Sequence, residues 1–191
     1  MNRTLTAGLA IFLLAGALVA PAYALNVGGV DVPDTYSAMG QELQLNGAGT
    51  RSKWFMNLYV GGLYVPEKVN DAEAVIAADE PQAITLHITS GMITSERMTE
   101  ATMEGFQAAT GGDLSAIQAE VDQLMAVFQE DIEEGDVFDL VYVPGTGVQV
   151  FKNGEQRDSV GDLEFKKALF GIWLSDKPVQ KDLKQKMLGK R

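Results

Sequence analysis

Tight turns, rather than helices, join most of the neighbouring strands that this sequence predicts. Apolar runs are separated at Gly28-Gly29, at 144–147 and at Asn153-Gly154, and these residue types adopt the left-handed backbone conformations that short hairpin turns require. Strands joined in this way run antiparallel, because a parallel pair needs a crossover of about a dozen residues or more. The chain is therefore expected to form a mainly antiparallel sheet.

The predicted helices fall in groups between the strands. Strands are expected at 25–27, 30–32, 43–51, 54–65, 82–90, 137–143 and 148–152, with a further short strand ending at Val160. Helices are expected at 71–78, from a Thr94 or Ser95 cap to about 109, from an Asp113 cap to 128, at 162–174 and at 178–188. Grouped strands and grouped helices indicate an α+β fold, with the helices layered on one face of the sheet.

The first 24 residues have the features of a secretory signal peptide. Arg3 supplies a positive charge, an uncharged Leu/Ala-rich run occupies 5–20, and Ala22-Tyr23-Ala24 has the pattern of a cleavage site. The run is shorter than the roughly 20 residues that span a bilayer. The sequence predicts cleavage after Ala24, a single mature domain at 25–191 without a transmembrane segment, and location in the periplasm or outside the cell. An uncleaved N-terminal anchor is the alternative.

The charge and the residue types limit the partners. The net charge at pH 7 is −11, which argues against nucleic acid or an anionic membrane surface as a partner. The chain has no cysteine and one histidine, so it forms no disulfide and offers few ligands to zinc or copper. The acidic run at 130–136 lacks the ligand spacing of a calcium-binding loop. No metal or cofactor is predicted.

Three segments in order resemble the chalcone-isomerase-like family. Leu-Asn-Gly-Ala-Gly-Thr-Arg at 45–51 is similar to the family's Gly-x-Gly-x-Arg strand end, and Leu-Tyr-Val-Gly-Gly-Leu-Tyr-Val at 58–65 is similar to the strand that follows. Residues 168–178 resemble the C-terminal helix pair of bacterial members. The resemblance covers nearly all of 26–189 and implies an open-faced sandwich, in which a ligand cleft lies between a large antiparallel sheet and the helices. The family includes plant chalcone isomerases and plant fatty-acid-binding relatives.

Arg51 is the first candidate site residue. It ends an apolar strand and follows Gly47 and Gly49, which lack side chains and would let the backbone approach a ligand. A guanidinium binds a carboxylate through two parallel hydrogen bonds. The resemblance implies that this arginine holds the anionic end of the ligand. The alternative is an arginine at the rim of the cleft, paired with one of the 26 acidic residues.

Tyr59 and Thr94 are the other candidates, and both come from the resemblance. Fatty-acid-binding relatives have a tyrosine at the position of Tyr59 as a second donor to the carboxylate, where plant isomerases have a threonine. The isomerases also use a tyrosine and an asparagine on the helix after strand 82–90, and the matching residues here are Thr94 and Ala101. The loss of these two polar groups favours binding over cyclisation. If the protein were an isomerase, its set would be Arg51, Tyr59 and Thr94, although Thr94 is also a typical helix N-cap.

Other polar or adaptable side chains are weaker candidates. His87 lies on the polar side of strand 82–90 without an identifiable triad or metal partner, so a catalytic role is not favoured. Met92, Met98, Met103 and Met125 fall on the two central helices or just before them. Methionine adapts to irregular apolar ligands, so these residues would suit an acyl chain, or they simply fill the core.

Three functions remain open at this point. The first is a binding protein for a small apolar ligand with an anionic head, such as a fatty acid held by Arg51 and Tyr59. The second is an isomerase, or intramolecular lyase, for a chalcone-like or enone substrate. The third is an accessory protein without a ligand. An apolar cavity ending at Arg51 would support the first, whereas a filled cleft with an internally paired Arg51 would support the third.

Overall fold

The computed structural model describes residues 24–38 and 40–190. Residues 1–23, which hold all of the predicted signal peptide except Ala24, lie outside the described residues, as do Met39 and Arg191. Cleavage and export therefore stay predictions.

Antiparallel strands form the framework. A first hairpin consists of β1 (Ala24–Val27) and β2 (Val30–Pro33) and makes a separate two-stranded sheet. The main sheet has seven strands that follow one another in chain order: β3 (Thr35–Ala38), β4 (Gln41–Lys53), β5 (Met56–Val65), β6 (Gln82–Ile88), β7 (Val137–Val143), β8 (Gly147–Lys152) and β9 (Glu155–Val160). Every neighbouring pair in it is antiparallel, which confirms the expectation drawn from the turns.

Helices cover one face of this sheet. The described part of the chain contains α1 (Ala72–Ala77), α2 (Ser95–Thr110), α3 (Gln118–Val127), α4 (Leu163–Leu174) and α5 (Lys181–Met187). The larger core lies between sheet and helices, and joins Leu63 and Ile84 of the sheet to Phe106 of α2, Leu169 of α4 and Leu183 of α5. The α+β prediction with helices on one face is confirmed.

The first hairpin covers part of the opposite face. Val32 of β2 is fully buried there in a second apolar cluster with Val60, Tyr64 and Val141 of the main sheet. The Tyr64 hydroxyl donates a hydrogen bond to the Pro33 carbonyl at 2.9 Å and so fixes the end of the hairpin. Both faces of the sheet therefore have a core in the described part of the chain.

Asp139 of β7 faces this second cluster and gives a test of it. The residue is 8 % exposed; burial raises the pKa of its carboxyl, and the Tyr36 hydroxyl opposes that shift. A carboxyl with a raised pKa in the folded state makes the fold less stable as pH rises above the usual aspartate value of about 4. We expect Asp139→Asn to raise Tm by about 3 °C at pH 8, equivalent to ~1 kcal/mol, and to leave it nearly unchanged at pH 4. Calorimetry at both pH values checks this, and an equal shift at the two would contradict it.

Two local features differ from the sequence expectations. Strand β3 was not predicted, because its pairing of Tyr36 with Leu43 depends on β4 and not on a pattern within its four residues. Asp113 does not cap α3: its carboxylate accepts hydrogen bonds from the Ser115 backbone N–H at 3.0 Å and hydroxyl at 2.6 Å. An aspartate bonded to the residue two places on favours a turn as readily as a helix start. The helix consequently begins only at Gln118.

Candidate functional site

A cavity of about 700 Å³ lies between the sheet and helices α2 and α4. Its walls are largely apolar and include Leu58 and Leu86 of the sheet, Met98 of α2 and Ile172 of α4. Gly105 lets the two helices pack closely here, because a Cβ at this position would lie 2.7 Å from a methyl group of Ile172. The fold thus leaves an apolar space at the position where the resemblance implied a ligand cleft.

Arg51 lines this cavity at the end of β4 and is half-buried. One guanidinium nitrogen, Nη1, donates hydrogen bonds to the Ser52 carbonyl at 2.7 Å and to the Gln180 side-chain oxygen at 3.1 Å. Both acceptors are neutral, and the ion pairs of the described residues do not include Arg51. Its positive charge therefore has no carboxylate partner in the described part of the chain, in contrast to the rim-arginine alternative.

Gln180, just before α5, holds this corner together. Its Oε1 atom accepts hydrogen bonds from the Ser52 backbone N–H at 2.9 Å and from Arg51, while its Nε2 atom donates to the Thr50 carbonyl at 3.2 Å. One side chain thus fixes three consecutive residues of β4 and orients the guanidinium. Gln180 was not predictable as a site residue from the sequence, because it lies 129 residues from Arg51 along the chain.

Tyr59 is the second polar group of the cavity and is 7 % exposed. Its hydroxyl oxygen accepts a hydrogen bond from the Trp173 indole N–H at 2.9 Å. Burial raises the pKa of Tyr59 to about 12, although the Trp173 hydrogen bond and the Arg51 charge act in the opposite direction. The phenol is therefore neutral at ordinary pH. Since the indole occupies its acceptor side, the hydroxyl proton is left to be donated.

The sheet register brings the two donors together. Arg51 and Tyr59 are directly opposite in the β4–β5 pair, and opposite residues of an antiparallel pair project from the same face. The sequence alone could not establish this, because the position of the turn between the strands decides which residues face the same way. A guanidinium and a neutral phenol at one end of an apolar cavity form an arrangement that accepts an anion.

The helix that follows β6 does not supply the polar groups that cyclisation would require in the cavity wall. Thr94 is the N-cap of α2, where its hydroxyl accepts a hydrogen bond from the Arg97 backbone N–H at 3.3 Å, and it is exposed and outside the lining. Ala101 does line the cavity but contributes only a methyl group. Arg51 and Tyr59 thus meet at the cavity, whereas Thr94 does not join them.

The remaining candidates divide between cavity, core and opposite face. His87 pairs with Val60 and Val137 in the sheet and is not among the cavity-lining residues; burial lowers its pKa. Met92 and Met98 line the cavity, while Met125 is buried in the helical core. Two of the four methionines are thus available to a ligand.

The two glycines before Arg51 do not face a ligand. A Cβ at Gly47 would lie 2.1 Å from the Lys186 carbonyl oxygen, and one at Gly49 would lie 2.8 Å from the Lys186 side chain. These glycines instead let α5 approach the backbone of β4 closely. The expectation of a ligand contact was wrong, because a sequence does not reveal which partner requires the missing side chain.

The described residues contain neither a metal-binding cluster nor a membrane-spanning helix. No group of three or more histidine, aspartate or glutamate residues at 24–38 and 40–190 is arranged to hold a metal ion. No helix in that part of the chain is long and apolar enough to cross a membrane.

Comparisons with known proteins agree with the geometry. The family model described as chalcone isomerase-like matches residues 24–189, which confirms the resemblance inferred from the three segments. The crystal structure of the Arabidopsis thaliana fatty-acid binding protein AtFAP1 is similar with a TM-score of 0.63 and 17 % identity, over 80 % of this chain and 90 % of that one. At this identity the likeness shows the fold. A comparison with curated proteins finds no match to this sequence. Because the family model spans most of its length, the chain belongs to the chalcone isomerase-like family.

Proposed function

We propose that this protein binds a small apolar ligand with an anionic head, a fatty acid or a similar lipid, without converting it chemically. The observation that carries the proposal is an apolar cavity with two adjacent donors, Arg51 and Tyr59, of which the cation has no carboxylate partner in the described chain. The likeness to a fatty-acid binding protein supports the same ligand class.

The polar and the apolar parts of the cavity fit the head group and the acyl chain of such a ligand. A carboxylate would accept charge-assisted hydrogen bonds from the Arg51 guanidinium and a further bond from the Tyr59 hydroxyl. The acyl chain would lie against Met98, Leu86 and Ile172, where each buried methylene contributes about 0.8 kcal/mol. A cavity of about 700 Å³ lies within the range of roughly 300–1,000 Å³ for small-molecule sites. Chain length would therefore set the affinity, and the head group would set the orientation.

The isomerase alternative has support only from the family. Cyclisation of a phenolic enone needs hydroxyl or amide groups around the ketone oxygen to stabilise the developing charge, and the wall offers the methyl group of Ala101 where an asparagine would be required. The accessory-protein alternative would be favoured by a filled cleft. The open cavity, and an Arg51 charge that has no carboxylate partner among the described residues, favour the binding function over both.

We further propose that the protein acts in the periplasm or outside the cell, after cleavage behind Ala24. The support is the signal-peptide pattern of residues 1–24. Mass determination of the protein purified from the exported fraction gives the mature N-terminus directly. A mass corresponding to the full chain would contradict the cleavage.

Native mass spectrometry with matched ligands tests the binding function. Mature protein is mixed with palmitic acid, with the alcohol of the same chain length, and with the methyl ester. We expect the acid to bind about tenfold to a hundredfold more tightly than the other two, because only the acid forms charge-assisted hydrogen bonds. Equal binding of all three would show that the head group is not recognised, and no binding would refute the lipid hypothesis. Conversion of a chalcone, followed by its absorbance, would establish the isomerase instead.

A further inference from the structure

Exposed apolar side chains cluster at the mouth of the cavity. Trp54 is 84 % exposed, Phe55 101 %, Met56 42 % and Met92 37 %, and in the described chain the one other large apolar side chain so exposed is Leu25. Trp54 and Phe55 form the turn between β4 and β5, a position where the sequence suggested the start of a strand. Trp54, Met56 and Met92 also line the cavity. We call these four residues the apolar tip.

The fold itself gives no reason for a tryptophan at this turn. Trp54 has a φ of +64°, a left-handed conformation that favours glycine or asparagine and that destabilises bulky residues. Exposing Trp54 and Phe55 together to water is also unfavourable. An apolar phase that covers the tip would remove the cost of this exposure and so offset the cost of the backbone conformation. Tryptophan and phenylalanine beside basic residues are typical of side chains that enter the interface of a lipid bilayer.

The charges around the mouth are unlike those of the whole chain. The charged residues that line the cavity are Arg51, Lys53, Arg97 and Lys177, which are basic, and Glu100 and Glu104, which are acidic. The cavity lining is thus net positive on a chain with a net charge of −11. Charges more than about 10 Å apart are largely screened at physiological salt, so a surface that meets the tip experiences the local cations. This complementarity favours an anionic surface.

We propose that the apolar tip docks into the surface of a lipid bilayer that contains anionic lipids, with the cavity mouth facing the acyl chains. A ligand would then pass between bilayer and cavity without its chain crossing water. The docking depends only on the tip and its cations; the transfer rests on the proposed function, since it needs a lipid ligand. The net charge of the whole chain predicted no binding to an anionic membrane, but this single value does not show where on the surface the charges lie.

Vesicle binding tests the docking. Residues 24–191, which keep every described element, are mixed with phosphatidylcholine vesicles with and without phosphatidylglycerol. We expect co-sedimentation and a blue shift of the Trp54 fluorescence with the anionic vesicles, both weakened by salt. Trp173 is 5 % exposed and hydrogen-bonded, so its emission should stay constant. Absence of binding to either kind of vesicle would overturn the proposal.

Phe55→Asp is the diagnostic variant, because Phe55 is fully exposed and is not part of the cavity lining. It keeps Trp54 as the reporter and should lower vesicle partitioning about tenfold to a hundredfold, the loss expected when one buried aromatic side chain is replaced by a charge. Leu25→Asp, on the β1–β2 hairpin, is the matched control and should partition like the wild type. Equal partitioning of Phe55→Asp and wild type would overturn the proposal, as would a dimer that the same substitution disrupts in the absence of any lipid.

The two proposals can fail separately. Phe55→Asp should bind dissolved fatty acid as the wild type does, because the cavity is unchanged. Transfer of a fluorescent fatty acid from wild-type protein to vesicles should accelerate as the vesicle concentration rises, and Phe55→Asp should abolish this dependence. A transfer rate independent of vesicle concentration would overturn the transfer step. Vesicle binding by a protein that takes up no fatty acid would support the docking and contradict the proposed function.

Discussion

Replacing Arg51 by alanine is expected to lower the affinity for a fatty acid by about a hundredfold. The substitution removes the guanidinium that would bind the carboxylate and leaves Tyr59 as the one member of the proposed donor pair. The affinity for the alcohol of the same chain length should change little, because that ligand makes no charge-assisted hydrogen bond. Isothermal calorimetry with both ligands measures the two affinities.

Two further variants separate the charge of Arg51 from its structural contacts. Arg157→Ala removes the same charge from β9, where Arg157 pairs with Glu155 at 3.3 Å and Glu130 at 3.7 Å, and should leave the affinity unchanged. Gln180→Glu places a carboxylate at the atom that accepts from Arg51 at 3.1 Å, so it should compete with the ligand and weaken fatty-acid binding about tenfold while the fold stays intact. Equal losses of acid and alcohol binding in Arg51→Ala would assign Arg51 a purely structural role.

Gly47→Ala is expected to give a large loss of stability, about 3 kcal/mol or roughly 10 °C in Tm. Its Cβ would lie 2.1 Å from the Lys186 carbonyl oxygen and 3.0 Å from both the Met187 carbonyl oxygen and the Gly189 backbone nitrogen. These are backbone atoms at the end of α5 and cannot rotate aside, so the helix must move away from β4. Urea denaturation followed by circular dichroism measures the change in the free energy of unfolding.

Gly91→Ala is the matched control. No atom lies within 4 Å of a Cβ at Gly91, and its φ is not in the left-handed region. This substitution should be neutral or stabilise by about 0.5 kcal/mol, since alanine restricts the unfolded chain more than glycine does. Similar free energies for the two variants would show that α5 does not pack on β4 as described. Because Gln180 precedes α5, Gly47→Ala should also loosen Arg51 and weaken ligand binding.

Local chemistry made the sheet predictable. Asn153 and Gly154 form the β8–β9 turn with φ of +53° and +78°, and Gly145 has a φ of +72° between β7 and β8. Asparagine and glycine are the residues that adopt such angles at low energetic cost, so the sequence itself encodes these turns and the antiparallel order they produce. The cap of α2 was equally local: Thr94, one of the two residues expected there, is the N-cap.

Contacts between distant parts of the chain were not predictable. Gln180 and Trp173 bond to Arg51 and Tyr59 across 129 and 114 residues, and no spacing within either segment indicates this. Gly47 was recognised as a close-approach residue, but the sequence did not show that α5 is the partner. The candidate pair Arg51 and Tyr59 came from the resemblance, whereas the residues that orient the pair came from the packing of α4 and α5 against the sheet.

The hydrogen bond from the Trp173 indole to the Tyr59 hydroxyl has a consequence for when a ligand would be released. The hydroxyl oxygen already accepts this hydrogen bond, and a guanidinium has no acceptor, so Arg51 and Tyr59 act toward a ligand as donors. A neutral carboxylic acid carries a proton of its own, and this pair of donors offers no acceptor for it. Burial raises the pKa of Tyr59 to about 12, so this phenol stays neutral in mild acid. Acidic surroundings would therefore release the ligand by protonating its carboxylate, while the charge of Tyr59 stays unchanged.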